Sequence, residues 1–182
     1  TVTISALDVT DLTVDLSGAV EAAPEPAKNL FFSEYIEGSS NNKALEIYNA
    51  SGEEVDLADY KLVLYSNGAA TPSYTLQMDG TLAAGAVYVV ANDGSNQAIL
   101  DLADVTATVT YYNGDDAVAL VYVPDESIID QIGVIGVDPG SAWPVAGVTG
   151  ATANHTLIRK PTVATGNTDW AAQQGTDAED SE

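Results

Sequence analysis

Short runs of alternating apolar and polar residues, separated by clusters of turn-forming residues, recur along the chain. The alternation is clearest in TVTIS and LTVDL near the start and in YKLVLY at residues 60–65. Because successive side chains of a β-strand point to opposite faces, this alternation predicts strands with one face buried. Further strands are predicted, in chain order, at residues 30–36, 44–48, 74–78, 86–91, 105–112, 117–123 and 128–137.

Three segments give more specific predictions. The run AVYVVA at residues 86–91 is apolar throughout, which predicts a strand buried on both faces. Asn113 and Gly114 tolerate the positive φ angles of a tight turn, so they predict a hairpin between the strands on either side. The one helix-like stretch in the pattern is at residues 97–104.

Many short strands separated by turns predict an all-β fold, an antiparallel sandwich or barrel. Residues 30–170 form the predicted domain. Residues 1–29 combine a strand-like start with a proline-containing linker, and they belong either to the sandwich or to a preceding domain. Residues 171–182 are small, polar and acidic, which predicts a disordered tail.

Composition narrows the class of protein. Of the 182 residues, 46% are hydrophobic, enough for a folded core, and no apolar run reaches the length of a membrane span. Twenty-seven acids against five bases give a net charge of −22. This balance suits either a salt-tolerant bacterial source or simply an acidic extracellular protein. The absence of cysteine excludes thiolate sites, and it favours a bacterial over a eukaryotic source, because secreted eukaryotic domains often carry disulfides.

The residues needed for most enzyme mechanisms are scarce. His155 is the only histidine, there is no cysteine, and no Gly-x-Ser-x-Gly motif is present, so serine and cysteine triads lack their parts. A pair of carboxylates like that of glycosidases stays open, but among 27 acids such a pair arises by chance. We therefore predict that this chain is not an enzyme.

Nucleic-acid binding is not expected either. The chain has no phosphate-binding glycine loop, and its five cations include only one adjacent pair, Arg159 and Lys160. Neutralising several phosphates requires a cluster of cations, and a charge of −22 repels a polyanion.

Calcium is the candidate cofactor. Ca²⁺ prefers carboxylate, carbonyl and amide oxygens, and turns rich in Asn and Asp supply them. Two such turns are the candidate metal sites, and a third set of oxygens is offered by Glu34, Glu37 and Asn41. The candidate ligands of the two turns are Asn92, Asp93, Asn96, Asn113, Asp115 and Asp116. The alternative is that these residues are present for turn conformation alone.

For two further sets of residues we prefer a structural role to a ligand-binding role. Glu34 and Glu46 lie in predicted strands, and we predict a structural ion pair between them and Arg159, because a buried carboxylate requires a partner. Trp143 and Trp170 could stack on a carbohydrate, but packing within the sandwich is the preferred interpretation.

A series of motifs in a fixed order resembles one known family. LFFSEYIEGSSNNKALEIYN at residues 30–49 is followed by VDL and YKL, then by NGDDAVAL at 113–120 and IDQIG at 129–133. LIRK at 157–160 and then Trp170 close the series. Together these segments resemble the lamin-tail domain family in its bacterial extracellular form.

The resemblance implies an immunoglobulin-like sandwich, often attached in bacteria to secreted nucleases or phosphatases. The first hypothesis is therefore a non-catalytic accessory or interaction module of a secreted bacterial protein, with an unknown protein or cell-surface partner. The alternative hypothesis is a free-standing Ca²⁺-dependent protein that binds a surface or a glycan.

Overall fold

The computed structural model describes residues 2–4, 12–14 and 28–182. The predicted linker between the first strands and the main domain lies outside the described residues. The strands in chain order are β1 (Val2–Ile4), β2 (Leu12–Val14), β3 (Leu30–Glu37), β4 (Lys43–Asn49), β5 (Val55–Asp56), β6 (Tyr60–Tyr65), β7 (Tyr74–Gln77), β8 (Thr81–Leu82), β9 (Val87–Ala91), β10 (Val105–Thr106), β11 (Ala117–Tyr122), β12 (Ser127–Ile132) and β13 (His155–Ile158). Two short helices are α1 (Gln97–Leu100) and α2 (Trp170–Gln174), and 3-10 turns occur at Leu57–Asp59, Thr108–Thr110 and Val123–Asp125.

Two sheets pack face to face. The five-stranded sheet has the order β10-β9-β4-β3-β13, and the four-stranded sheet has the order β12-β11-β6-β7. All neighbours within them are antiparallel except β10 and β9, which are parallel. The predicted immunoglobulin-like antiparallel sandwich is therefore confirmed.

The core lies between the two sheets. Leu45 and Ile47 of β4 are fully buried, and they meet Leu62 and Leu64 of β6 in the same cluster. Burying one such side chain contributes about 1.5–3 kcal/mol, so the alternation read in the sequence accounts for why these strands associate. The core side chains of the two sheets thus hold both sheets at a fixed distance and leave their outer faces for other contacts.

The outer face of the four-stranded sheet is covered by the chain itself. Val63, Ala119 and Val121 are buried there, although they point away from the main core. Ile135, from the segment that follows β12, packs against them, and the N–H of Gly136 donates to the carbonyl of Ala69 at 3.2 Å. This face is therefore closed.

The predicted hairpin at Asn113 and Gly114 is wrong. β10 and β11 lie in different sheets, so the segment between them crosses the sandwich rather than turning back. Gly114 does not adopt a positive φ; instead, a Cβ at this position would lie 2.6 Å from the Cβ of Ala153. Glycine is required here for close packing, and the residues around it produced a misleading turn signal.

The crossing segment is fixed by Tyr112. Its side chain is fully buried, and its hydroxyl donates towards the carbonyl oxygens of Ile36 and Ala44, each 2.8 Å away. Its ring stacks on Tyr35 at 4.9 Å between centroids. Burial raises the pKa of Tyr112 well above its ordinary value, so the hydroxyl stays a donor.

The tail also differs from expectation. Residues 170–174 form helix α2, and the backbone N–H of Glu182 donates to the carbonyl of Gln173 at 2.8 Å. The N–H of Lys160 in turn donates to the carbonyl of Glu182 at 2.8 Å. These backbone hydrogen bonds place the tail against the end of β13, a pairing that its polar composition does not reveal.

Candidate interaction surface

An ion pair between Asp130 and Arg159 lies in the interior, between the two sheets. Asp130 of β12 is 0% exposed, and its Oδ2 accepts from Nη1 of Arg159 at 2.8 Å. The same oxygen accepts the backbone N–H of Phe32 in β3 at 2.8 Å, so the carboxylate joins the two sheets. Burial raises the pKa of Asp130, while the guanidinium and the backbone donors oppose that rise.

This arrangement corrects the predicted partners of Arg159. The sequence predicted Glu34 and Glu46, but both lie on the opposite face of β3 and β4 from the core. Arg159 follows the last strand residue, and its side chain enters the sandwich towards Asp130. The motif IDQIG contained the true partner, but the local pattern does not distinguish Asp130 from Glu46, which lies in a strand between Leu45 and Ile47.

The pair is completed by the C-terminal segment. Nη2 of Arg159 donates to Oε1 of Gln173 at 2.5 Å, and Oδ1 of Asp130 accepts the N–H of Asn167 at 3.0 Å. Glu182 lies 3.9 Å from the same guanidinium. The named atoms of Arg159, Asp130 and Gln173 are thus engaged within the fold, whereas Oε2 of Glu182 is buried without a hydrogen-bond partner.

A second buried cation lies at the other end of β3. Nζ of Lys43 is 3.2 Å from a carboxylate oxygen of Glu37 and donates to the carbonyl of Tyr112 at 2.6 Å. The carboxylate of Glu37 also accepts the N–H of Asn154. Lys43 and Glu37 are each 7% exposed, so this ion pair also belongs to the fold.

The remaining cations are engaged at the surface. Lys28 forms an ion pair with Asp125, and Lys61 forms one with Glu126. Nζ of Lys160 donates to the carbonyl of Glu179 at 3.2 Å. Since the sequence has only five Lys and Arg residues, all of its cations already have acceptors within the chain.

The candidate calcium ligands mostly accept hydrogen bonds from the chain. Oδ1 of Asn92 accepts from the N–H of Gly94 at 2.9 Å, and Oδ1 of Asn96 accepts from Ile99, at the start of α1. Oδ1 of Asp93 accepts from the hydroxyl of Tyr111 at 3.3 Å. These three side chains therefore shape the turn before the helix.

The second set behaves similarly, with one exception. Asp116 accepts the backbone N–H groups of Asn67 and Asn113, and burial raises its pKa. Oδ1 of Asn113 accepts from Nζ of Lys43 at 3.2 Å. Oδ1 of Asp115 is buried without a hydrogen-bond partner. Within residues 28–182 and the two short strands before them, no three His, Cys, Asp or Glu side chains form a group that could hold a metal.

The two tryptophans and the histidine have structural positions. Trp143 and Trp170 are buried and meet edge to face, with 6.2 Å between ring centroids, which confirms packing over sugar stacking. His155 is exposed, and its Nδ1 is 2.7 Å from the carbonyl oxygen of Ala153. No nucleophile or second catalytic group within the described residues is hydrogen-bonded to that ring.

The outer face of the five-stranded sheet carries exposed apolar side chains. Residues paired directly across antiparallel strands share a face, and three cross-strand pairs define this one. The pairs are Ile158 with Glu34, Glu34 with Glu46, and Glu46 with Val89. Ile158 is 68% exposed, so this end of the face is uncovered.

Strand β9 contributes to the same face. Val87 pairs with Tyr48 of β4 and is 42% exposed, whereas Val90 on the opposite side is fully buried. The prediction of a strand buried on both faces is therefore wrong. On the outer side of the run Val87 is exposed while Ala91 is fully buried, so this side is open at one end only, and a continuous apolar pattern does not reveal that difference.

A groove crosses this face beside α1. It has a volume of about 200 Å³, and its lining includes Ile36, Val87, Val89, Ile99 and Leu102, with Glu34 and Glu46 at one side. Leu102, just after the helix, is 74% exposed. The groove therefore presents apolar side chains together with two carboxylates.

The two carboxylates have no cation beside them. Oε1 of Glu46 accepts from the hydroxyl of Ser33 at 2.6 Å, and neither glutamate forms an ion pair with any of the five cations. Burial, and then the charge of Glu46, raise the pKa of Glu34. The ionised form of Glu34 is thus destabilised, because a like charge and apolar side chains lie beside it.

Among the described residues, neither helix has the length and apolar composition required to cross a bilayer. Comparison with curated proteins gave no match. The sequence model of the Lamin Tail Domain matches residues 23–136, which include strands β3 to β12. β13 and Arg159 follow that match, and the structure joins them to it through β3 and Asp130. Because the match spans more than half of the sequence, the chain belongs to the lamin tail domain family.

Proposed function

We propose that this chain is a non-catalytic interaction module of a secreted bacterial protein, attached to an extracellular nuclease or phosphatase. The observation that carries the proposal is the exposure of Val87 and Ile158 on the outer face of the five-stranded sheet and of Leu102 beside it. Exposed apolar side chains that lie near one another and are rimmed by polar residues mark a surface that another molecule can cover. The closed outer face of the four-stranded sheet in the same molecule supports this interpretation.

The charges of the chain favour a function in which this module does not itself bind a nucleic-acid substrate. Each of the five cations is engaged with an acceptor of the chain, so phosphates would have to displace existing contacts. With a net charge of −22, the module repels a polyanion. In this proposal the neighbouring catalytic domain binds the substrate, and the module binds a protein or cell-surface partner.

The catalytic part of the proposal is tested on the purified chain. Plasmid DNA and a chromogenic phosphate ester are incubated with it, with a chelated and a metal-supplemented sample in parallel. We expect no turnover above buffer in any sample. Turnover that co-purifies with the chain and disappears on substitution of a described carboxylate would contradict the proposal.

The interaction part is tested with two matched double variants produced in the source organism. Leu102→Asp with Ile158→Asp places charges on the open face, whereas Val137→Asp with Val148→Asp places them at other exposed valines. We expect a partner that co-purifies with the wild-type chain to be lost with the first variant and retained with the second. Equal recovery with both variants would refute a role for this face.

The alternative proposal is a free-standing Ca²⁺-dependent protein that binds a surface or glycan. Two observations favour it: the unpartnered buried Oδ1 of Asp115, and the exposed aromatic pair of Tyr74 and Tyr111, with 5.9 Å between ring centroids. Thermal melts with calcium and with chelator separate the two proposals, because a metal that binds only the folded state raises its melting temperature.

A further inference from the structure

We propose that the groove on the five-stranded sheet binds a segment of a different protein in which a lysine or arginine is flanked by apolar residues. The cation would lie between Glu34 and Glu46, and the flanking residues would pack on Val87 and Leu102. This inference rests on the proposed function as an interaction module and specifies the chemistry of the partner.

The first argument is charge complementarity. Glu34 and Glu46 are directly opposite on β3 and β4, a position where like charges destabilise a sheet. Cβ atoms of such pairs are about 5 Å apart, so one cation can reach both carboxylates. The pKa of Glu34 is raised by burial and then by the charge of Glu46, and a cation between the two carboxylates would oppose the second of these causes.

The second argument identifies where the cation can come from. Residues 1–27 contain no Lys or Arg, so the N-terminal segment cannot supply it. Lys43 and Arg159 are held in the interior of the fold, and Lys28, Lys61 and Lys160 are engaged at the surface. A second copy of this chain offers the same engaged cations. No cation within these 182 residues is therefore left to complement the two glutamates, and we assign the complement to a partner protein.

The third argument concerns the apolar residues of the partner that flank its cation. The groove of about 200 Å³ is large enough for one or two aliphatic side chains beside the cation. Leu102 is 74% exposed and Val87 42% exposed, so covering both removes apolar surface from water. A purely polar basic segment would leave this surface exposed and is disfavoured for that reason.

The test is selection of short random peptides displayed on phage against the immobilised full chain. We expect the enriched peptides to share a Lys or Arg flanked by Leu, Ile, Val or Phe. Their synthetic forms should bind the Glu34→Gln/Glu46→Gln variant at least about tenfold more weakly, because the charge-assisted contacts are lost. The Glu53→Gln/Glu54→Gln variant, with the same change in net charge at exposed positions, should bind like the wild type.

Each contrary outcome has a distinct meaning. The selection could instead enrich apolar peptides without a cation that bind the Glu34→Gln/Glu46→Gln variant as well as the wild type but do not bind Leu102→Ser. That result would overturn this inference and would still agree with the proposed function as an interaction module. If no enriched peptide requires Leu102, Glu34 or Glu46 for binding, the inference is overturned, and the result also counts against the open face as a binding surface. Thermal melts of each variant exclude unfolding as the cause.

Discussion

Glu34 and Glu46 lie directly opposite each other on neighbouring strands, and neither carboxylate is paired with a cation of the chain. Asp130, in contrast, is fully buried and is held by Arg159 and two backbone N–H groups. The single arginine therefore pairs with an aspartate in the core, whereas the two strand glutamates at the surface have no cation beside them. The former contact joins the two sheets, and the latter arrangement is the basis of the binding site that we propose.

Glu34→Gln is expected to stabilise the domain at neutral pH. The pKa of Glu34 is raised in the folded state above its ordinary value of 4.5, so the folded chain binds the proton more tightly than the unfolded chain. Its contribution to the free energy of unfolding is thus fully present below pH 4.5 and is lost as pH rises through the folded pKa. Glutamine mimics the protonated form, so the gain should appear at pH 7 and vanish in acid. Urea titrations at both pH values measure it.

Glu54→Gln is the control, because this glutamate is exposed. It should change the free energy of unfolding little at either pH. An equal gain from both substitutions would mean that the effect comes from net charge and not from the position of Glu34.

Removing one member of the interior ion pair should be costly. Arg159→Met leaves the carboxylate of Asp130 buried without its cation, and a loss of about 3–5 kcal/mol is typical of such a change. Adding Asp130→Asn to it should restore part of that loss, since the uncompensated charge is then gone. Chemical denaturation of both single variants and the double variant gives the coupling energy.

The exposed pair of Lys61 and Glu126 serves for comparison, because its carboxylate is 64% exposed. Lys61→Gln should cost no more than about 1 kcal/mol. A similar cost for Arg159→Met and Lys61→Gln would show that Asp130 is protonated and that the interior contact is not an ion pair.

Tyr112→Phe should destabilise the domain by about 1–3 kcal/mol, because it removes the one hydroxyl proton that the carbonyl oxygens of Ile36 and Ala44 share. The neighbouring Tyr111 is 44% exposed, so Tyr111→Phe should stay within about 0.5 kcal/mol of the wild type. Thermal or urea unfolding measures both. Equal effects would show that the hydroxyl of Tyr112 does not fix the crossing segment.

Calcium is expected to leave the melting temperature unchanged if the interaction-module proposal is correct. Five of the six candidate ligands already accept hydrogen bonds from the chain, so an ion would have to replace those contacts. Scanning calorimetry with millimolar Ca²⁺, and with Mg²⁺ at matched ionic strength, is the measurement. A rise specific to Ca²⁺ that Asp115→Asn abolishes would favour the alternative proposal.

Local patterns predicted some strands correctly and others not: the strand predicted at residues 105–112 is β10 followed by a 3-10 turn at Thr108–Thr110, and the one predicted at 128–137 ends at Ile132. The range 60–65 coincides with β6, because its alternation has one clear buried face and turn residues at its end. The hairpin prediction at Asn113 was wrong because the same residues suit a tight turn and a segment that crosses from one sheet to the other. Which of the two forms depends on contacts of Tyr112 with distant strands. Local signals cannot encode that choice.

The candidate surface could be predicted only in part. Glu34 and Glu46 were identified as strand residues, but their partner was assigned to Arg159, which the structure pairs with Asp130, 29 positions away in sequence. Which acid meets an arginine depends on register and on which face of the strand each side chain occupies. Likewise, the apolar run of β9 does not reveal that one of its sides is open, since an uncovered face and a buried face have the same composition.

The complete engagement of the five cations has a kinetic consequence. With no free positive side chain to interrupt it, the negative field of the −22 chain extends over the groove and its surroundings. Such a field accelerates the diffusional encounter with cationic partners and slows that with anionic ones. Added salt should therefore lower the association rate constant of a basic partner far more than it changes the dissociation rate constant, which depends on short-range contacts in the groove.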